Sequence, residues 1–242
     1  MGVSKYFCDL YKSAVNVIYP PLCLICGLDL EGEALVCRRC KGDIERTMGG
    51  ICGRCGAAVE SSKESCICRN LSSDLTRVRS SVLYTGVARG IVHLFKFGGY
   101  WSLASLLADR MIEDGRSLVG LREAVAVVGV PLHRVRLRER GYDQARMLAR
   151  VISKRLGLEC VDGMLRRRRN TRPQARLSLE ERRQNLRDAF YVRDPSKVED
   201  RTILLVDDVT TTGITLSSCA TVLARVGARE VLALTFARRM LN

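Results

Sequence analysis

The amino-acid sequence predicts an α/β domain with a mostly parallel sheet, preceded by a small cysteine-rich module. Three observations carry this. Apolar runs of strand length recur at 124–130, 203–206 and 231–236 without polar alternation, as expected of parallel strands covered on both faces. Segments of helical periodicity alternate with them, so the crossovers are helical. Eight of the eleven cysteines crowd into residues 23–68.

Composition sets outer bounds. At 242 residues the chain accommodates one large domain, or one plus a small module. Its 47% apolar and 27% charged content is that of a globular protein. A net charge of +14, carried mostly by Arg, favours phosphate-bearing partners, small molecules or nucleic acid. A merely solvated basic surface is the bland alternative. Aromatics are 5%, so stacking platforms for single strands should be sparse. No 18-residue apolar stretch exists, so no membrane span is expected.

Residues 1–20 read as an amphipathic helix (Tyr6, Leu10, Ala14, Val17) stopped by Pro20 and Pro21. Asp9 and Lys12 interrupt its apolar run and no small-residue cleavage site follows. It is therefore not read as a signal peptide, and the chain is expected in the cytoplasm. Cysteines in that compartment point to metal rather than disulfides.

Residues 21–74 hold four close pairs: Cys23/Cys26, Cys37/Cys40, Cys52/Cys55 and Cys66/Cys68. Ten residues separate the first pair from the second, and ten the third from the fourth. Two Cys-x-x-Cys knuckles on a hairpin close a tetrahedral Zn–S₄ site. The module thus reads as a double zinc ribbon with closed, structural Zn²⁺ sites. Gly27 and Gly56 each follow a knuckle, where a left-handed residue is wanted. The last pair is one residue short of the usual spacing, which leaves an interleaved ligand set open. Cys8, Cys160 and Cys219 read as small core residues.

The α/β domain is expected over 75–242. After a polar loop at 61–74, Val78 to Thr85 reads as a strand. Val87 to Phe97 and Tyr100 to Glu113 read as helices separated by Gly98 and Gly99. His93 reads as a partly buried helix residue, and Lys96 as an exposed helix-end lysine, with approach to a pyrophosphate as the alternative. The run 124–130 ends at Pro131 and reads as the first strand of the parallel sheet. A cationic loop follows, with Arg134, Arg136, Arg138 and Arg140 before Gly141, then a helix from Asp143 to Leu156. Such a loop, between a buried strand and a helix N-terminus, suits a multiply charged anion. Pyrophosphate is the natural candidate, held by Arg138, Arg140, Gly141 and Tyr142. Arg134 and Arg136 read as surface charge. Glu159 to Val161 is a candidate second strand. Ser178 and Glu181 form a capping box that starts a helix ending near Phe190. Residues 166–177 read as a mobile basic loop that closes over a substrate.

The most informative stretch is 203–217. The apolar run Ile203 to Val206 ends in Asp207 and Asp208. Then come Val209, a loop of Thr210, Thr211, Thr212 and Gly213, and helical spacing from Ile214 to Val226. A strand, a short Thr/Gly loop and a helix form a phosphate site, with loop N–H groups and the helix N-terminus aimed at one anion. Acids beside such a cradle repel phosphate, so they serve hydroxyls or a metal. A sugar phosphate fits both halves. The chain has no G-x-x-x-x-G-K-[ST], which sets aside the nucleotide hydrolases.

This stretch resembles the signature of the type I phosphoribosyltransferases. The resemblance implies that Asp207 and Asp208 hold ribose hydroxyls of phosphoribosyl pyrophosphate, with Mg²⁺. It implies that Thr210, Thr211, Thr212, Gly213 and Thr215 hold the 5′-phosphate. The order zinc ribbon, strand, basic segment and Asp-Asp-Val-Thr-Thr-Thr-Gly is more specific and resembles the ComF (ComFC) competence family over nearly the whole chain. Matching marks include Lys96, Arg140 to Tyr142, Gln144, Thr171, Gln174, Leu177, Glu181, Arg182, Asn185 and Phe190. One departure is Asp143, where the family pattern has Asn. Asp caps a helix equally well but lacks amide donors. The resemblance implies a role in natural transformation, handling incoming single-stranded DNA, with competence helicase or processing proteins as partners. The rival reading is a non-catalytic DNA-uptake adaptor that uses the ribbons and the Arg face. The acceptor of any phosphoribosyl transfer is not legible.

Overall fold

In chain order the elements are α1 (Arg38–Gly42), β1 (Arg77–Leu83), α2 (Gly86–Phe97), α3 (Leu103–Gly115), β2 (Ala126–Gly129), α4 (Arg134–Arg140) and α5 (Gln144–Leu156). They continue with β3 (Glu159–Cys160), β4 (Leu165–Arg167), α6 (Leu179–Leu186), β5 (Phe190–Val192), β6 (Thr202–Thr210), α7 (Ile214–Arg225) and β7 (Glu230–Arg238). This computed structural model describes residues 21–30, 32, 34–46, 50–57, 66–118, 120–169 and 178–240. The helix read at 1–20, Cys8, and the basic stretch 170–177 with Thr171, Gln174 and Leu177 lie outside the described residues.

A five-stranded sheet has the order β1-β7-β6-β2-β3, and every pairing in it is parallel. The continuous apolar run of β6 has its reason here. Leu204 and Val206 pack with Ile91, Leu107 and Leu148 from α2, α3 and α5. Ile203 and Leu205 pack with Leu216, Ala220 and Leu223 of α7 on the other face. Strand alternation sends successive side chains to opposite faces, so a strand covered twice is apolar throughout.

The topology also locates a crevice. From β2 the chain runs outward to β3; from β6 it runs the other way, to β7. Loops leave the carboxyl ends of β2 and β6 in opposite directions, and open α/β sheets bind ligands at such a switch point. Gly129 and Val206 are register partners at that edge. A Cβ at Gly129 would lie 2.6 Å from the Arg146 backbone nitrogen, so glycine there lets the start of α5 close on the end of β2.

Several boundaries differ from the sequence reading. The strand at 124–130 is not the first of the sheet, because β1 joins it in parallel at the far edge, beside β7. Serines and arginines break β1's apolar run, yet Ser80 and Thr235 hydroxyls pair across the strands at 2.7 Å. Residues 134–140 are helix, not loop. His133 caps the start by accepting from the Val135 N–H, and Gly141, at φ 79°, closes the end. Arg166 and Arg167 belong to β4, paired antiparallel with β5. The helix from Ser178 has its capping box but ends at Leu186, and Phe190 is strand.

The ribbon module covers the free edge of β1. The Val78 N–H donates to the Arg54 carbonyl at 2.7 Å, and the Leu83 N–H to the Glu45 carbonyl at 3.0 Å. A covered edge cannot template pairing with another chain. No described helix is long and apolar enough to cross a membrane.

Candidate functional site

β6 runs past its apolar core to Thr210, so both acids sit on the strand itself. Asp208 is 6% exposed, and its Oδ1 lies 2.8 Å from Lys96 Nζ. Asp207 is half-buried, and its Oδ1 accepts the Asp208 N–H at 2.8 Å. Burial, followed by the neighbouring Asp208 charge, pushes the Asp207 carboxyl up to about 8, against the opposing pull of Lys96.

After the acids the backbone turns sharply. Gly213 takes φ 74° and ψ 0° ahead of the twelve-residue α7, a left-handed conformation favouring glycine. Thr210 and Thr212 are buried. A cavity of about 60 Å³ lies inside the loop, lined by Asp207, Thr210 to Thr212, Gly213 and Thr215 among others. That exceeds the roughly 10–15 Å³ one water needs. With α7's N-terminus behind it, the cavity favours a compact anion.

The sequence reads Lys96 as an exposed helix-end lysine, and the structure overturns that. Its side chain is mostly covered and tethers α2 to β6 through Asp208. The signal was present in the spacing: Ala88, Val92 and Lys96 are four residues apart, and the first two are buried. His93, read as partly buried, is exposed.

Of the residues assigned to pyrophosphate, Arg138 is exposed on α4. Arg140 bonds Gln144 Oε1 at 2.9 Å and stacks 5.0 Å over the Phe97 ring. The Tyr142 hydroxyl donates to the Phe95 carbonyl. Arg140 and Tyr142 thus brace the α4–α5 corner against α2. Asp143 accepts N–H bonds from Arg146 at 3.1 Å and Leu132 at 3.2 Å. A carboxylate does this as well as the amide of the family pattern.

The cysteines form two sets, Cys23, Cys26, Cys37 and Cys40, and Cys52, Cys55, Cys66 and Cys68, each with its sulfurs within 4.8 Å of one another. The pairs are therefore not interleaved. Sulfur–sulfur distances of 3.7 Å (Cys26 to Cys37), 3.5 Å (Cys52 to Cys68) and 3.6 Å (Cys55 to Cys66) recur. Tetrahedral Zn–S bonds of about 2.3 Å place sulfurs ~3.8 Å apart, whereas a disulfide needs about 2.05 Å. The residues fit structural Zn²⁺. A 3-10 turn at Ile67–Asn70 accommodates the short Cys66/Cys68 spacing. Cys219 is core, as read, while Cys160 is only half-buried.

Two buried arginines, unforeseen in the sequence, join the second cysteine set to the sheet. Arg79 on β1 donates to the Cys52 and Gly53 carbonyls at 3.3 and 3.2 Å. Arg238 on β7 donates to the Cys55 carbonyl at 2.5 Å. The next N–H, of Arg239, donates to Thr210 at 2.9 Å. The zinc module is thereby linked through Arg238 and Arg239 to Thr210, at the start of the Thr/Gly loop.

Comparison with known proteins agrees with this architecture. Residues 140–240 match the phosphoribosyl transferase domain and residues 14–71 the double zinc ribbon domain. The DNA utilization protein YhgH of Escherichia coli is 30% identical over 217 residues, covering 88% of this chain and 94% of that protein. Competence protein F of Haemophilus influenzae is 27% identical over 213 residues, covering 81% and 93%. Competence protein ComFC of Bacillus subtilis is 26% identical over 243 residues, covering 93% and 92%.

Proposed function

The chain belongs to the ComF family of competence and DNA-utilization proteins, and from that premise we propose that it binds phosphoribosyl pyrophosphate at the β6–α7 loop and transfers its phosphoribosyl group. One observation carries the reading: an acid pair at a sheet switch point opens directly into an enclosed Thr/Gly cradle before a helix. The 5′-phosphate takes the cradle, and Asp207 and Asp208 take the ribose hydroxyls, with Lys96 orienting Asp208. In the transfer, the C1–O bond to pyrophosphate breaks and its electron pair leaves with pyrophosphate. A lone pair of the acceptor forms the new bond to C1, and the acceptor's proton passes to water. The transition state has oxocarbenium character, so positioning and charge suffice without a covalent nucleophile. Asp207 and Asp208 offer carboxylate oxygens, the donors a hard divalent cation takes. Mg²⁺, when bound, offsets the leaving group's charge.

Calorimetry with Mg²⁺ and phosphoribosyl pyrophosphate, at a pH above the value of about 8 at which Asp207 ionises, tests this. Asp207→Asn and Asp208→Asn should each weaken binding about tenfold to a hundredfold, the scale of a charge-assisted hydrogen bond. Equal affinity in wild type and double variant, or no wild-type binding, overturns the reading.

A second, compatible activity has its own observation. Phe97 and Trp101 are 62% and 63% exposed at the α2–α3 corner, with Tyr100 between them. Arg140 stacks on Phe97 there. Aromatic faces beside guanidinium groups suit unpaired bases. Single-stranded DNA should quench Trp101, the chain's single tryptophan. Its affinity should fall steeply with salt. Unchanged fluorescence at saturating oligonucleotide counts against the surface.

A further inference from the structure

Beside the β6 crevice lies a second, larger cavity of about 430 Å³, at the carboxyl end of β2 and bounded by β4 and β5. It reaches from Gly129 to Tyr191, and Gly129 is the register partner of Val206, the residue before Asp207. Its size suits a small aromatic acid or a mononucleotide.

Its charge is unbalanced. Arg134, Arg166, Arg168 and Arg193 line it, and among the described residues none of these four pairs with a carboxylate. Arg166 Nε donates to the Gly163 carbonyl at 2.8 Å, and Arg168 Nε to the Asp188 carbonyl at 2.7 Å. A carbonyl fixes a guanidinium's direction without cancelling its charge, and each guanidinium has further donors. Arg167 stacks over the Phe190 ring at 5.4 Å, half-buried. The two acids in the lining are already engaged. Asp143 caps α5, and Asp162 pairs with Arg146 and Arg150 at 2.9 and 2.5 Å. Clustered like charges in a concavity repel each other and draw in an anion. The rim adds the exposed Tyr191 ring, a flat apolar face next to the cations.

We propose that this cavity is the acceptor subsite, and that the acceptor carries a fixed negative charge, a carboxylate or a phosphate, on a planar body rather than being a neutral nucleobase. The proposal rests on the phosphoribosyl-transfer reading, which supplies the neighbouring C1. The same anionic chemistry comes from two sources, an aromatic carboxylic acid or a nucleotide.

Thermal shift and calorimetry on the full chain test it, with orotate, adenosine 5′-monophosphate and adenine as probes, with and without saturating Mg²⁺ and phosphoribosyl pyrophosphate. Orotate or the monophosphate should bind and adenine should not; which anion binds identifies the source. Arg134→Met with Arg193→Met, both exposed and with no side-chain bond to the backbone among the described residues, should weaken the anion about tenfold or more. The same variant should leave phosphoribosyl pyrophosphate affinity within about twofold. The proposal is overturned by adenine binding as well as the anions, by no binding of any probe, or by an unchanged anion affinity in the double variant. An equal loss for phosphoribosyl pyrophosphate also overturns it, because the cavity then holds the pyrophosphate. If the anions bind and phosphoribosyl pyrophosphate does not, the anion site stands while the transfer reading fails.

Discussion

Asp207 and Asp208 are neighbours in sequence with separate environments. Asp208 is buried against Lys96, while Asp207 takes the strain of burial and of the adjacent charge, which lifts its carboxyl to about 8. The folded chain therefore holds a proton on Asp207 more tightly than the unfolded chain does. That contribution is fully present below pH 3.8 and is lost as pH rises through about 8. Asp207→Asn, which mimics the protonated acid, should be more stable than wild type at pH 8, with the gap narrowing at pH 5. Denaturant unfolding at the two pH values checks this; a gap independent of pH refutes the burial argument. The identity of the acid pair was legible from residue type and order. Their division of labour was not, because Lys96 reaches Asp208 from a helix more than a hundred residues earlier.

At the scale of elements, the close approach of β2 and α5 sets the geometry of the crevice. Gly129→Ala would put a methyl 2.6 Å from a backbone nitrogen and 2.7 Å from the Ala145 backbone. Neither partner is a flexible side-chain tip, so α5 must shift, at a cost of about 1–3 kcal/mol. A lowered melting temperature together with weaker ligand binding is expected; a variant as stable as wild type counts against it. The same region shows why the sequence of α4 resembles a loop. Four arginines in seven residues look like a charge run, yet Arg is a good helix former, and the capping residues His133 and Gly141 stand at both ends. Strands β4 and β5 escaped notice because three-residue strands lack a measurable period.

For the whole molecule, the second cysteine set is tied into the sheet by Arg79 and Arg238, both nearly fully buried. Metal at a closed thiolate site contributes folding energy. Elemental analysis of reduced protein should find about two zinc ions per chain, from the two cysteine sets. Chelation should lower the unfolding temperature and also weaken phosphoribosyl pyrophosphate binding, through the path from Cys55 by Arg238 and Arg239 to Thr210. Full ligand affinity in metal-free protein would show the two modules to be energetically independent.

The sequence by itself determined the layered α/β fold, the cysteine pairs of the double zinc ribbon and the place of the Thr/Gly loop after the acid pair. Each is written in local chemistry: an apolar run for a twice-covered strand, thiolates at knuckle spacing, and glycine where φ must be positive. Only the tertiary structure decided what meets across the sheet. It brought Lys96 to Asp208, set Arg79 and Arg238 under the zinc module, and gathered the arginines of three elements around one cavity beside the acids. Those contacts join residues that are distant in the chain, and their partners follow from strand order, which residue spacing does not encode.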